Sequence, residues 1–271
     1  MNKMIKFKNG IECPALGFGT WKLQGEEAER AVKEAIEVGY RHIDTADRYE
    51  NHLEVGRAIN ESGVARDDLF LTTKLWDEDL SGDRVASVVD RFSQELNVEY
   101  VDLLLIHWPN KNVPIEETLT AMKACQNAGK VRSIGVSNFT EHHLEDALAT
   151  GIEFVTNQVE VRPHFNQVAM REYCAKNNIV VTGYSSLRAG DMAEPVIVEL
   201  AEKYRKSSAQ IILNWVVSRG MIALPQSTKV ERMKENLESL DFSLSPEDLS
   251  QIDLVTQEKR YNNPDFAEFS Y

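Results

Sequence analysis

The chain has 271 residues, 42% hydrophobic and 27% charged, a balance that excludes a disordered or low-complexity polypeptide. Forty-three acidic against thirty basic side chains give a formal charge of −13, and the sequence holds no basic patch that would carry nucleic acid or an anionic membrane surface against that field. No apolar run approaches the ~18 residues of a membrane span.

The opening residues read as the approach to a strand and not as a leader. Cys13, Cys125 and Cys174 are widely spaced and odd in number, so they make neither a disulfide framework nor a metal-ligand set, and a reducing cytoplasm is the expected setting. Asn9-Gly10, between the segments 3–8 and 11–13, predicts a hairpin with a two-residue turn. Eight short apolar runs follow, at 15–19, 42–46, 69–74, 101–107, 133–137, 154–159, 179–184 and 222–225. Most are apolar throughout, as strands buried on both faces of a parallel sheet should be.

Segments of helical period lie between the runs. Ala28, Val32, Ala35, Ile36 and Val38 share one face, ended by Gly39; Val85, Val88, Val89, Phe92 and Leu96 share another; Leu119, Met122 and Cys125 make a third before Gly129. Further helices are predicted over 196–204 and 209–217. Eight strand–helix units close naturally as a (β/α)8 barrel, although an open doubly wound sheet uses the same units. No repeat, linker or shift of composition divides the chain, so residues 1–271 read as one domain.

Barrel strands deliver their C-terminal residues to a common rim. Three ionisable residues close apolar runs and so stand out: Asp44, Lys74 and His107, spaced about one βα unit apart. An isolated buried charge costs several kcal/mol, so Asp44 and Lys74 are expected to pair. One reading is a structural ion pair with a satisfied histidine beside it; the other is catalysis, favoured by the coincidence of three such residues. Tyr49 lies five residues after Asp44 and can lean over the same rim. A neighbouring ammonium lowers a phenol's pKa, and a neutral His107 can hydrogen bond a substrate oxygen. Together they could donate a proton to an alkoxide, which carbonyl reduction requires.

From residue 15 to residue 236 a set of motifs stands in consistent order, with Gly39-Tyr40-Arg41-His42-Ile43-Asp44-Thr45-Ala46, Tyr49 and Asn51 followed by Thr73-Lys74-Leu75-Trp76 and Asp102-Leu103-Leu104-Leu105-Ile106-His107-Trp108-Pro109. The set continues through Gly135-Val136-Ser137-Asn138-Phe139, Asn157-Gln158-Val159-Glu160 and Pro225-Gln226-Ser227-Thr228. On these motifs the sequence resembles the aldo-keto reductase superfamily. The short loop after His107 is similar to that of small bacterial 2,5-diketo-gluconate and methylglyoxal reductases.

The resemblance implies a TIM barrel that binds a nicotinamide dinucleotide without a glycine-rich fingerprint, in line with the absence of G-x-G-x-x-G here. It implies Tyr49 as proton donor, tuned by Lys74 and Asp44, with His107 orienting the carbonyl. Ser137, Asn138 and Gln158 would hold the nicotinamide amide, Tyr184 would stack on its ring, and Gly19 and Thr20 would lie near the cofactor. Ser185, Ser186 and Leu187 would follow the pyrophosphate, and Trp21, Trp76, His107 and Trp108 would line the substrate pocket. Ser137 and Asn138 could equally cap the helix that follows. The expected partner is a small carbonyl compound and the expected state a monomer.

Some positions depart from the family pattern. Gln226 stands where a lysine usually meets the 2′-phosphate of NADPH, leaving Ser227, Thr228 and Arg232 to hold it, with Glu235 and Asn236 at the adenine. NADPH is still the expected cofactor, with NADH a weaker alternative. His52 replaces a common glutamate near Tyr49, Arg162 replaces a common histidine, and Ser186 replaces a frequent proline, which predicts a looser loop through Asp191. The aromatic-rich tail 260–271 is expected to fold over the barrel mouth, as the tails of relatives do. Two other functions fit parts of the pattern: a class I aldolase with Lys74 as Schiff base, and a non-catalytic subunit that binds NADPH.

Overall fold

The computed structural model describes residues 3–255, 257 and 260–271. Met1 and Asn2, in the opening stretch read as the approach to the first strand, lie outside the described residues. Strand β1 (Met4–Lys6) pairs antiparallel with β2 (Glu12–Pro14). The turn differs from the expected two-residue type. Phe7 N–H donates to Ile11 O at 2.9 Å and Gly10 N–H to Phe7 O at 2.9 Å, leaving three loop residues with only Gly10 left-handed (φ 87°). A two-residue turn of that kind needs positive φ at both centres. Asn9 instead spends its side chain on Ile11 N–H at 3.2 Å and on Ser133 Oγ at 3.0 Å, pinning the hairpin across one end of the barrel.

All eight apolar runs become parallel strands: β3 (Phe18–Gly19), β4 (His42–Asp44), β5 (Phe70–Leu75), β6 (Val101–Ile106), β7 (Val131–Ser137), β8 (Thr156–Glu160), β9 (Val180–Tyr184) and β10 (Ile222–Leu224), in sequential order across one sheet. A parallel bridge between Leu16 and Ala223 nearly closes the sheet on itself. It is reinforced by Ala223 N–H to Ala15 O and Gly17 N–H to Ala223 O, both 2.9 Å, and by Gly19 N–H to Pro225 O at 3.0 Å. The architecture is a (β/α)8 TIM barrel.

The outer helices are α1 (Gly25–Val38), α2 (His52–Glu61), α3 (Gly82–Leu96), α4 (Ile115–Asn127), α5 (Glu141–Ala149), α6 (Val168–Lys176), α7 (Ala189–Met192), α8 (Pro195–Tyr204), α9 (Ser208–Ser218), α10 (Val230–Leu237) and α11 (Pro246–Asp253). The apolar faces read from the sequence are the buried ones on α1, α3 and α4, apart from the half-buried Val38. Gly39 (φ 119°) ends α1 as expected. Strand–helix alternation is not strict, because α7, α8 and α9 all fall between β9 and β10.

Side chains alternate across the barrel wall. In β6, Leu103 and Leu105 pack inward with Phe7, Cys13, Phe70 and Leu224, whereas Leu104 and Ile106 join the helix-facing core. The same period places His42 inside the barrel, where it reaches Thr72 Oγ1 at 3.0 Å and Cys13 Sγ at 3.5 Å. Burial pushes its pKa down to about 4, despite the opposing pull of Asp44.

Unfolded, that imidazole binds its proton near ~6.5. Its contribution to stability is therefore complete above that value and is lost as pH falls from there toward 4. The melting temperature should fall across that interval, and His42→Gln, which stays neutral, should make the decline shallower. A second expectation concerns Gly56, where α2 crosses the end of α3. A Cβ there would sit 2.6 Å from Leu96 O and 2.7 Å from Leu96 Cα, with only backbone to give way. Gly56→Ala should cost about 1–3 kcal/mol, read as a lower urea midpoint.

Candidate active site

The inward register that carries His42 also carries Asp44, at the end of β4, and Lys74, near the end of β5; His107 follows β6 directly. Lys74 Nζ donates to Asp44 Oδ1 at 2.5 Å, to Thr45 O at 2.8 Å and to Tyr49 Oη at 3.3 Å. Those three contacts use all three ammonium protons. Gln158, on β8 across the barrel, donates to Asp44 Oδ2 at 2.8 Å. Tyr49 stands on a single 3₁₀ turn, Asp47–Tyr49, with its ring centroid 5.6 Å from that of His107. The structure thus brings together the four side chains that the sequence reading linked.

The electrostatics differ from expectation in one respect. Lys74 was expected to lower the Tyr49 pKa; instead burial and the Asp44 charge hold the phenol well above its ordinary value. Burial lowers the Lys74 pKa, with Asp44 opposing. Burial and the Lys74 charge depress His107 far below the usual histidine range, so its imidazole is neutral. Its Nδ1 is buried and has no hydrogen-bond partner among the described residues. The site therefore offers a protonated phenol and a neutral imidazole, both able to donate to an oxygen atom.

A second chain of hydrogen bonds surrounds this centre. Tyr184 Oη donates to Asn138 Oδ1 at 2.7 Å, Asn138 Nδ2 donates to His107 O at 2.9 Å and to Ser137 Oγ at 3.1 Å, and Ser137 Oγ donates to Gln158 O at 2.8 Å. Asn138 is left-handed (φ 62°), a conformation asparagine tolerates. The alternative cap role for Ser137 and Asn138 does not hold. Thr140 caps α5, accepting from the His143 N–H, while the His143 side chain accepts from the Thr140 N–H.

Aromatic rings line the mouth. Trp21, half exposed, leans on Tyr49 at 4.9 Å, and Trp76 meets His107 edge-on at 5.2 Å. The tail completes the wall: Phe266 packs against Trp76 at 5.7 Å and Trp108 at 5.3 Å, and Phe269 against Trp108 at 5.6 Å.

The model of the Aldo/keto reductase family matches residues 15–257. The chain belongs to that family. It is 42% identical over 265 residues to the glyoxal reductase of Bacillus subtilis (strain 168), covering 96% of both chains. To the methylglyoxal reductase DkgA of Salmonella typhimurium it is 39% identical over 274 residues, covering 98% of both. The crystal structure of an aldo/keto reductase from Brucella melitensis superposes with a TM-score of 0.91 at 41% identity, covering 94% of this chain and 98% of that one. This aldo-keto reductase is accordingly an oxidoreductase acting on carbonyl groups, in a family that generally uses NAD(P)H.

The residues expected along a dinucleotide fall at the same end of the barrel. Gly19 ends the first barrel strand and Thr20 follows it; Thr20 N–H and Oγ1 both donate to Asp44 O at 3.0 Å. Ser185 and Ser186 leave β9, with Leu187 packed on the core; Ser186 Oγ is buried without a partner among the described residues. Such an orphaned hydroxyl fits a ligand acceptor. Gln226 Nε2 reaches Trp21 O at 2.6 Å across the groove between the loops after β3 and β10. Ser227 caps the approach to α10 through Lys229 N–H at 3.0 Å, with Thr228 half-buried between them. On α10, Arg232 is exposed and Glu235 half-buried, whereas Asn236 is buried and its side chain bonds the Tyr40 phenol.

Two departures acquire an explanation. His52 lies outside the barrel wall, joining Thr73 Oγ1 (2.8 Å) to Glu95 Oε2 (2.9 Å), because Thr73 points opposite to Lys74. Asp47, His52 and Glu95 approach one another as metal ligands would, but Arg91 occupies both carboxylates, bonding Asp47 at 2.8 and 3.0 Å and Glu95 at 3.1 Å.

Arg162 is fully buried. It bonds Glu160 at 3.0 Å and both oxygens of Asp191 at 3.2 Å, so the loop expected to be loose is tied down at Asp191. Glu160 is the residue the sequence reading missed. It accepts from the backbone N–H groups of Tyr261 and Asn262 at 2.9–3.2 Å and so fixes the tail to the end of β8. The rule that selected Asp44, an ionisable residue closing an apolar run, selects Glu160 as well.

Proposed function

We propose that this chain reduces small aldehydes and ketones to alcohols, with NADPH as the preferred cofactor and Tyr49 as the proton donor; 2-oxo-aldehydes, keto-sugars and aryl aldehydes are the substrate classes. The observation that carries the proposal is the line Tyr49–Lys74–Asp44, with contacts of 3.3 and 2.5 Å, beside the neutral His107 ring. The relatives named glyoxal and methylglyoxal reductase support the substrate class.

In this reading Ser137, Asn138, Gln158 and Tyr184 hold the nicotinamide end. Gly19, Thr20 and Ser185–Leu187 run beside the pyrophosphate, and Gln226, Ser227, Thr228, Arg232, Glu235 and Asn236 hold the adenosine end. The reduced nicotinamide supplies the hydride when bound. His107 donates a hydrogen bond to the carbonyl oxygen and fixes its direction. Tyr49 gives its phenolic proton to the same oxygen as negative charge develops there, and Lys74 stabilises the phenolate left behind.

Burial of Tyr49 has a use here: an acid must hold its proton until the alkoxide forms, and a raised pKa ensures that across the neutral range. The aldolase reading finds little support, because a Schiff-base lysine must be neutral and free, whereas Lys74 gives all its protons to Asp44, Thr45 and Tyr49. The same reading takes the enzyme as a monomer of a reducing cytoplasm, a compartment in keeping with three free thiols, all buried.

Two outcomes test the reading. Tyr49→Phe should lower kcat by about 10²–10⁴-fold with NADPH binding unchanged in a fluorescence titration; retained turnover would remove Tyr49 as the acid. Wild-type protein should use NADPH more efficiently than NADH, and Gln226→Lys should widen that margin by about tenfold or more through a charge-assisted bond to the 2′-phosphate. Equal kcat/KM for the two cofactors in the wild type would overturn the preference.

A further inference from the structure

The tail brings a cation to the barrel mouth, and one of its donors has no hydrogen-bond partner among the described residues. Glu160 pins the backbone at Tyr261 and Asn262, so the preceding residue, Arg260, is held in a fixed place. Its guanidinium lies between two aromatic rings, 4.7 Å from the centroid of Phe165 and 3.5 Å from that of Phe269. Phe269 in turn packs on Trp108, in the wall that runs through Phe266 and Trp76 to His107. Arg260 Nη1 is buried and has no hydrogen-bond partner among the described residues.

Arg260 stays charged under all ordinary conditions, and a buried charged donor left unpaired is strongly unfavourable. Glu160 lies within electrostatic range, but its two oxygens are already taken by the Arg162 guanidinium and by the Tyr261 and Asn262 N–H groups. Tyr184, the other group that faces Arg260, is kept neutral by burial. Among the described residues no acceptor is left for Nη1, and one supplied by a ligand would fill that place. A planar guanidinium flanked by rings suits a carboxylate next to an apolar or aromatic body. In a protein of net charge −13 a local cation favours the entry of such a ligand against the overall field.

We propose that Arg260 is a specificity-determining residue that recognises the carboxylate of an acidic carbonyl substrate, an aldehyde or ketone bearing an acid group a few bonds from the reacting carbon. This rests on the carbonyl-reductase reading above and narrows its substrate class. The other anion that could reach a cation at this rim is the cofactor's pyrophosphate, and the test separates the two.

Para-formylbenzoate and its neutral methyl ester are compared as substrates with saturating NADPH, in wild type, Arg260→Met and Arg260→Lys. The acid should be the better substrate for the wild type. In Arg260→Met its kcat/KM should fall about 10- to 100-fold, mostly through KM, while the ester and the NADPH dissociation constant stay unchanged. Arg260→Lys should restore part of the preference. Equal loss for acid and ester together with weaker NADPH binding would assign the guanidinium to the cofactor and overturn the proposal, as would no change at all.

Binding of benzoate against benzamide to the NADPH-loaded protein, read by tryptophan fluorescence, decides the matter without turnover. Tighter benzoate binding, abolished by Arg260→Met, is expected; equal binding in the wild type overturns the proposal. If neither aldehyde is reduced by the wild type, the reductase reading falls, and the benzoate titration still stands as the test of Arg260.

Discussion

A lysine ammonium with no solvent exposure, inside a β-barrel, is the constraint around which the site is built. Desolvating an ion pair costs several kcal/mol per charge and is tolerated only when every remaining donor and acceptor is matched. Lys74 meets that demand with Asp44, Thr45 O and Tyr49, and Asp44 meets it with Lys74 and Gln158. Gln158 arrives from β8, 114 residues from Asp44 in sequence, so the pair is fully bonded only when the sheet has curled round on itself. The barrel and the ion pair thus depend on one another. Of the three partners of Lys74, Tyr49 is the one that stands on the loop at the open rim.

A second buried ionic network stands on another side of the mouth. Glu160, Arg162 and Asp191 are each almost inaccessible, and their bonds join the end of β8, the start of α7 and the backbone of the tail. The first network orders a group that could react; the second orders the segment that would cover it. Both set a carboxylate at the close of a barrel strand against a cation: Lys74 of the next strand for Asp44, and Arg162, two residues on, for Glu160. The device works here because strand ends sit at the boundary between a packed interior and open solvent, where charges are ordered without being wholly removed from polar partners.

Period and punctuation made much of this legible in sequence. Eight apolar runs separated by helical faces specified the strand count, and Gly39 marked the end of α1 because only glycine readily takes its left-handed conformation. Asp44, Lys74 and His107 were visible because charge is improbable inside an apolar run. What could not be read depended on contacts distant along the chain. The hairpin turn was settled by Asn9 bonding Ser133, and the fate of Arg162 by Asp191. The direction of the Tyr49 shift required knowing how deeply the phenol is buried, since burial and the Asp44 charge outweigh the ammonium beside it. Thr140 displaced Ser137 and Asn138 as the helix cap because those two spend their side chains on Gln158, His107 and Tyr184.

The two networks also separate what can vary from what cannot. Asp44, Lys74 and His107 belong to strands or their immediate ends, and moving any one would disturb the barrel that makes their burial tolerable. The tail is held by backbone and side chains together: the Tyr261 and Asn262 N–H groups and Asn262 Nδ2 bond Glu160, Glu268 meets Lys111 N–H and His143, and Tyr271 Oη donates to Asp146. Phe266 and Phe269 take no part in those hydrogen bonds and meet only rings and the Arg260 guanidinium, so they can be exchanged without breaking the bonds that hold the tail. A buried ion pair fixed by the barrel, under a cover whose hydrogen bonds do not involve those two rings, lets the wall of the mouth vary while the centre beneath it stays in place.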